Sequence, residues 1–324
     1  MGMRYLAVVS TSVFLTVDTE FAWRHHVAGH DVGGIYDRSI EPAGVGISYQ
    51  LDRLAHFQLK ACFFVDPMPA LTFGLEPVRR MIDSIVSAGQ EVQLHLHPGW
   101  TAASTADRKR HARSNLSDYD RAEQQALIVQ ANDLLVAAGA PQPVAFRAGS
   151  YAANDDTLAA LAALGFTYDS SHNGAEHPLP SGIGLDRRQI APVRRDVIEV
   201  PVTVIEDKPG KLRTVQVCAL STGEMYDALE HAAVCEHAAL TIVSHGFELA
   251  NRSGTRANGV HVRRFEALCG VLAEMRDVLP TRHFADRPDL VLDRPDRSLA
   301  PDTLRTRWRQ AEPLWSTWVS ERRA

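Results

Sequence analysis

Apolar positions along this chain switch repeatedly between the two-residue beat of a strand and the three-to-four-residue beat of a helix. "VFLTVD" (13–18) reads as a strand and "ISYQLDRLAHFQ" (47–58) as an amphipathic helix. "KACFFVD" (60–66) is a buried strand, and "GLEPVRRMIDSIVSAG" (74–89) carries Val78, Ile82, Ile85 and Val86 at helical spacing. In "EVQLHLH" (91–97), Val92, Leu94 and Leu96 take one face while Gln93, His95 and His97 take the other, until Pro98 and Gly99 stop the strand. The polar stretch 101–120 reads as a flexible loop or excursion, either a lid or an insertion. Beyond it, 121–140 is a helix ending near Gly139, 143–149 a strand, 154–165 a helix capped by Asn154, and 166–171 a strand. Strand 196–205, helix 221–237, strand 239–249 and a last helix at roughly 262–278 complete the series. Short strands each followed by a helix predict an α/β fold on a parallel sheet, either barrel-like or doubly wound.

In parallel sheets chemistry gathers beyond the carboxyl ends of the strands. Those ends carry Asp18 and Glu20, Asp66, His95 and His97, Arg147, Asp169, and His245 with Glu248. Packing does not require titratable groups on one strand end after another. "TVDTEFAW" (16–23) sets Asp18 and Glu20 two apart on one face. Alone, that pattern describes a solvated strand end, and two histidines on one face describe a solvated pair as readily as a metal site. Together they offer oxygen and nitrogen ligands for Zn²⁺, Co²⁺, Fe²⁺, Mn²⁺ or Ni²⁺. Either Asp18 or Glu20 can complete such a site. Arg147, in "AFRAGSY" (145–151), is placed to keep a neighbouring carboxylate ionised or to form a structural salt bridge. The turn at Gly149–Ser150 offers backbone N–H groups to an oxyanion. His245 ends the apolar strand "TIVSH", as a packed core histidine or as a proton donor to a leaving amine.

Composition narrows the class. A net charge of -5 gives no basic face for nucleic acid. No apolar run reaches the ~18 residues that span a bilayer. Cys62, Cys218, Cys235 and Cys269 form no CxxC pair and read as buried thiols of a reducing compartment. "MRYLAVVSTSVFLTV" is short, carries an early arginine and lacks a small-residue cleavage site, so a cytoplasmic location is expected. One catalytic domain over 1–285 and a peripheral extension over 286–324 are expected. In that tail Trp308, Trp315 and Trp318 are expected to pack on the body. Homo-oligomerisation stays open.

The ordered set "TVDTE", "CFFVD", "HLHP", "FRAGSY", "YDSS" and "VSHGFEL" resembles the polysaccharide deacetylases of carbohydrate esterase family 4, over roughly residues 13–250. The resemblance implies a distorted (β/α) barrel of about seven strands. It also implies metal-dependent hydrolysis of an N-acyl group, usually acetyl on an amino sugar, with zinc as the foremost metal. By that resemblance Asp18 is the general base, Arg147 the arginine that orients it, His245 the general acid and Asp169 a residue supporting the acid. His95 and His97 are the metal histidines. Thr19 stands where the family has a metal-binding aspartate, so Glu20 is the substitute ligand. The family's histidines are usually four apart and its arginine turn reads R-x-P-Y, so this chain looks like a divergent branch. Its expected substrate is an N-acylated sugar or a soluble or lipid-linked sugar precursor. Two other readings stay open: hydrolysis of a non-sugar linear or cyclic amide such as allantoin, and an inactive carbohydrate-binding relative.

Overall fold

The computed structural model describes residues 10–109, 112–307, 309 and 312; the first nine residues and Trp308, Trp315 and Trp318 lie outside them. The strands are β1 (Ser12–Thr19), β2 (Cys62–Val65), β3 (Glu91–Leu96), β4 (Ala145–Ala148), β5 (Tyr168–Asp169), β6 (Val193–Arg194), β7 (Ile198–Glu199), β8 (Val204–Lys208), β9 (Lys211–Thr214) and β10 (Ala239–His245). The main sheet runs β10-β1-β2-β3-β4-β5-β7-β6, with β8 and β9 as a separate pair. Every neighbour in the main sheet is parallel except β6 on β7. Single residues close the remaining arc. Thr203 N–H donates to Thr241, Val215 N–H to Thr203, and Val243 N–H to Val215, while Val202 N–H donates back to His172. The result is a distorted (β/α) barrel whose last wall is irregular.

Helices Ile47–Phe57, Glu76–Ser87, Arg121–Ala137 and Asp155–Ala163 follow β1 to β4 in turn, and Thr222–Val234 precedes β10. Capping boxes at Asp120, Asn154 and Ser221 satisfy the free N–H groups that open three of them. The two-residue period of each strand sorts its side chains. Leu15, Phe63, Leu94, Phe146 and Ile242 face the helices in the main core. Phe14, Cys62, Phe64, Ala145, Tyr168 and Ala239 pack in a second cluster inside the barrel, near where the strands begin. Phe284, from beyond helix Gly259–Glu274, completes that cluster: its ring stacks on Phe14 at 4.3 Å and meets Phe64 edge-on at 5.9 Å. The N–H groups of Phe284 and Ala285 donate to the Glu91 carboxylate at 2.9 and 2.6 Å, which pins this floor in place.

Three expectations are corrected. The run 196–205 is not one strand. Pro201 has no N–H to give a ladder, and the chain divides there into β7 and the hairpin strand β8. The cysteines are all unpaired, but only Cys62 and Cys269 are buried; Cys218 is half-buried and Cys235, at the end of its helix, is exposed. The helix expected at 262–278 is Gly259–Glu274, set earlier than its periodicity indicates because Asn258 caps it, and described residues 303–307 are helical too. Segment 286–299 lies along the body as a strap. Asp286 pairs with Lys60 at 2.7 Å, Asp293 N–H donates to Pro192, and Asp296 accepts from Ala238 N–H. No described helix is long and apolar enough to cross a membrane.

Candidate metal and acid–base centre

The same alternation that builds the floor builds the site at the other end of the barrel. Asp18 follows Phe14 and Thr16 on the inner face of β1, and Glu20 continues the row. Asp66 follows Cys62 and Phe64; His95 and His97 follow Glu91 and Gln93; Arg147 follows Ala145; His245 follows Ala239. Asp18 lies in register with His245 on one side and Phe64 on the other, and His95 with Arg147.

The groups divide into two halves. In the first, one oxygen of Glu20 meets both histidines: His95 Nε2 at 3.2 Å, and His97 Nε2 in closer contact. The two rings stand nearly perpendicular, 4.9 Å apart. His95 Nδ1 lies 2.7 Å from the Arg147 carbonyl, which can only accept, so Nδ1 carries the proton. With the Nδ1 side taken up by the carbonyl, Nε2 is the ring atom turned to the Glu20 oxygen, and a cation between them would be held by both. The three ligand atoms all lie within 4.8 Å of one another. A divalent ion therefore fits the donor set, and the carbonyl behind His95 is the kind of outer partner that fixes a ligating imidazole. Burial would lower the pKa of His97, but Glu20 outweighs it and lifts it to about 9. Burial would likewise raise Glu20, but His97 and His95 hold it well below the usual carboxylate range.

Gly149 makes room for this half. A Cβ at that position would stand 2.4 Å from two atoms of the His97 ring. Asp66 borders it: Oδ1 accepts from Met68 N–H at 3.0 Å, Oδ2 is buried with no hydrogen-bond partner, and burial raises its pKa to about 6.

The second half is acid–base. Arg147 is fully buried, with Phe64 against its guanidinium at 4.3 Å. It donates to Asp18 Oδ1 at 2.6 Å, Thr16 Oγ1 at 2.8 Å, and the carbonyl and hydroxyl of Ser170 at 3.0 Å each. The other Asp18 oxygen faces His245 Nε2 at 3.9 Å. On the far side of the ring, Nδ1 lies 3.3 Å from Gln216 Nε2 and 3.9 Å from Glu248. Glu248 is fixed by His245 N–H, Gln216 and Cys218 N–H at 2.8 to 3.0 Å. Burial would lower the His245 pKa, but the Glu248 and Asp18 carboxylates outweigh it and lift it to about 9. The two carboxylates thus favour the charged form of the imidazole. Tyr151, next to this pair, has left-handed backbone (φ 58°) and a buried hydroxyl with no partner. Burial and the Asp18 charge push its pKa well up, so it stays a neutral donor.

Of the seven residues expected in the site, six meet here and one does not. Asp169 is on the opposite parity of β5 from Ser170, the residue that binds Arg147. Its carboxylate accepts from the Ser171 hydroxyl and N–H, and it lies beside buried Glu199, whose pKa burial and Asp169 raise well above normal. The group beside His245 is Glu248, three residues on in the same strand-end turn. Gln216 was not foreseen; it reaches the site because the irregular wall 215–217 runs beside Val243. The two carboxylates part in space: Glu20 turns to the histidines, Asp18 to Arg147 and His245.

No protein-family model matches this chain, and no curated protein matches it in sequence. Among solved structures, it is similar to a candidate polysaccharide deacetylase from Mycobacterium smegmatis, with 18% identity over 91% of this chain and 97% of that one and a TM-score of 0.55. The chain has the polysaccharide-deacetylase fold. PuuE allantoinase shares it, with 14% identity over 86% of this chain and 89% of that one and a TM-score of 0.53. At these identities the likeness concerns the fold alone.

On this deacetylase fold two hollows flank the centre. One, of about 180 Å³, is lined by Glu20, His97, Trp23, Trp100 and Ser114. The other, of about 290 Å³, is lined by His245, Glu248, Arg24, Phe247 and Arg252. A larger depression of about 730 Å³ lies along helix Arg121–Ala137 and includes none of the site groups. The excursion after β3 borders the first hollow through Ser114, and Arg108 ties it down by donating to the His26 and His30 carbonyls at 3.2 and 2.8 Å.

Proposed function

We propose that this chain is a metal-dependent amide hydrolase that removes an N-acyl group, acetyl foremost, from an amino sugar or sugar precursor. The observation that carries the reading is the division of labour across the barrel mouth. Glu20, His95 and His97 form an oxygen–nitrogen ligand set, and Asp18 and His245 stand opposed as carboxylate and imidazolium. A bound divalent ion, zinc by the chemistry of the donors, supplies Lewis-acid polarisation of the acyl carbonyl and a lowered pKa for water. Asp18 is the base. Arg147 fixes one of its oxygens and leaves the other to take a proton from the attacking water. His245 is the acid, kept charged by its two carboxylates, and gives its Nε2 proton to the departing nitrogen. Tyr151 offers its unpaired hydroxyl to the oxygen of the acyl group.

Flanking hollows suit a substrate longer than the bond cleaved, which favours an N-acyl saccharide over a small cyclic amide. An assembled base, arginine and acid argue against a domain that only binds sugar. Four unpaired cysteines support a reducing, cytoplasmic setting and hence a precursor rather than a wall polymer. The test is acetate or formate release from N-acylated sugars, nucleotide sugars and oligosaccharides, run beside cyclic ureides with added Zn²⁺ or Co²⁺. Turnover confined to ureides moves the assignment to the cyclic amides, and none anywhere removes it. Asp18→Asn and His245→Gln keep the metal and lose ~100-fold or more in turnover; Glu20→Gln loses the metal itself.

A further inference from the structure

A second cluster of ligand atoms lies far along the chain from the centre above. His231 and Cys235 are one helical turn apart at the end of helix Thr222–Val234, so their side chains share a face. Glu236 takes left-handed backbone (φ 49°) and turns the chain back, which brings His237 beside them. One ligand atom from each of the three lies within 4.8 Å of the others.

The hydrogen bonding leaves ligand atoms of this cluster turned to one another. His231 Nε2 lies 3.0 Å from the Arg297 carbonyl and so carries the proton, leaving the Nδ1 lone pair directed at Cys235 Sγ, 3.6 Å away. His237 is 3% exposed, and neither of its ring nitrogens has a partner. A thiol–imidazole hydrogen bond accounts for His231 and Cys235 but leaves His237 unexplained, since a buried imidazole N–H without an acceptor is costly. A void of about 10 Å³ is lined by His231 and His237, and the Asp296 carboxylate adds negative charge beside His237.

We propose that His231, Cys235 and His237 form a second metal site, which takes a zinc-class divalent ion through two imidazole nitrogens and one thiolate, with solvent as the fourth ligand. Two nitrogens and a thiolate suit zinc in tetrahedral geometry. As the sulfur–metal bond forms, the thiol proton leaves to solvent, reached through exposed Cys235. The role is structural: Arg297 and Asp296 belong to the strap over the helix end, so the ion clamps strap to helix.

Only this site contains sulfur, so cobalt separates it from the barrel centre. The full chain is stripped of metal and reloaded with Co²⁺. A thiolate-to-cobalt charge-transfer band in the near ultraviolet is expected in the parent and in His97→Ala, and is lost in Cys235→Ser and His237→Gln. Zinc content is expected to be two equivalents in the parent and one in either His97→Ala or Cys235→Ser. Exposed Cys235 makes serine a mild change, and circular dichroism identical to the parent confirms the fold. A parent without the band, or a band that survives Cys235→Ser, overturns the proposal. Loss of amide hydrolysis in every assay leaves it standing, because the band does not depend on turnover.

Discussion

Gly149→Ala tests whether the His97 ring is placed by its neighbour across the barrel mouth. Gly149 does not use left-handed backbone, so alanine brings no backbone strain and the effect is steric. The added Cβ stands 2.4 Å from Nδ1 and Cε1 of His97. Restoring an ordinary contact of about 3.4 Å requires the ring to retreat by about 1 Å, while Glu20 holds its far nitrogen. Metal–ligand distances tolerate only ~0.2 Å, so the third ligand is lost or badly strained. We expect Zn²⁺ affinity at this centre to fall ~10–100-fold, about 1.4–2.7 kcal/mol. Overpacking costs the fold itself about 1–3 kcal/mol. The assay is competition with a chromophoric chelator in a Cys235→Ser background, with urea unfolding of the metal-free protein as the control. In His97→Ala the obstacle is gone, so adding Gly149→Ala there costs no further stability in urea unfolding. Parental affinity in Gly149→Ala, or full additivity with His97→Ala in urea unfolding, refutes the placement of that ring.

Metal binding displaces the His97 proton, so affinity rises about tenfold per pH unit up to about pH 9 and then levels, with one proton released in calorimetry across buffers. Without metal the sign reverses: the raised His97 pKa adds stability that is full below about pH 6.5 and is lost as pH climbs through about 9, read as a falling Tm. Arg147→Met keeps the volume but strands Asp18 without its buried partner, and ~3–5 kcal/mol is lost in urea unfolding. Phe284→Ala opens the barrel floor far from the chemistry. It costs ~3–5 kcal/mol by the same measurement, while metal affinity under folding conditions stays at the parental value.

What the sequence made legible follows the pleat. Asp18, His95, Arg147 and His245 each continue an alternation whose outward partners are mostly apolar, so both face and end are readable from the residues even on the four-residue β4. Asp169 fails that reading because β5 pairs over only two residues. With so short a strand, its parity relative to Tyr168 is fixed by neighbours rather than by its own pattern. Pairing of Glu20 with the histidines, and of Asp18 with Arg147, is invisible in "TVDTE", since both carboxylates leave the same face and only the positions of β3 and β4 separate them. Gln216 and Phe284 carry no local signal at all: one sits in a wall made of single bridges, the other in a segment with no regular structure. His231, Cys235 and His237 were legible as residue types, but their convergence needed the left-handed turn at Glu236.

The place of β1, between β2 and β10, bears on how the chain reaches this state. The first strand finds its second neighbour only when Ala239–His245 exists, and Thr16 then donates to Ile242 across 226 positions of sequence. Closing a loop of that length carries an entropic cost of about 5 kcal/mol from the logarithmic length dependence alone. Until then one edge of an eight-residue apolar strand has no neighbour, and the inner rings Phe14 and Phe64 wait for Phe284. Folding is therefore slow and late, with most of the chain made before the barrel can shut. During synthesis that open edge is the part of this molecule most in need of a chaperone.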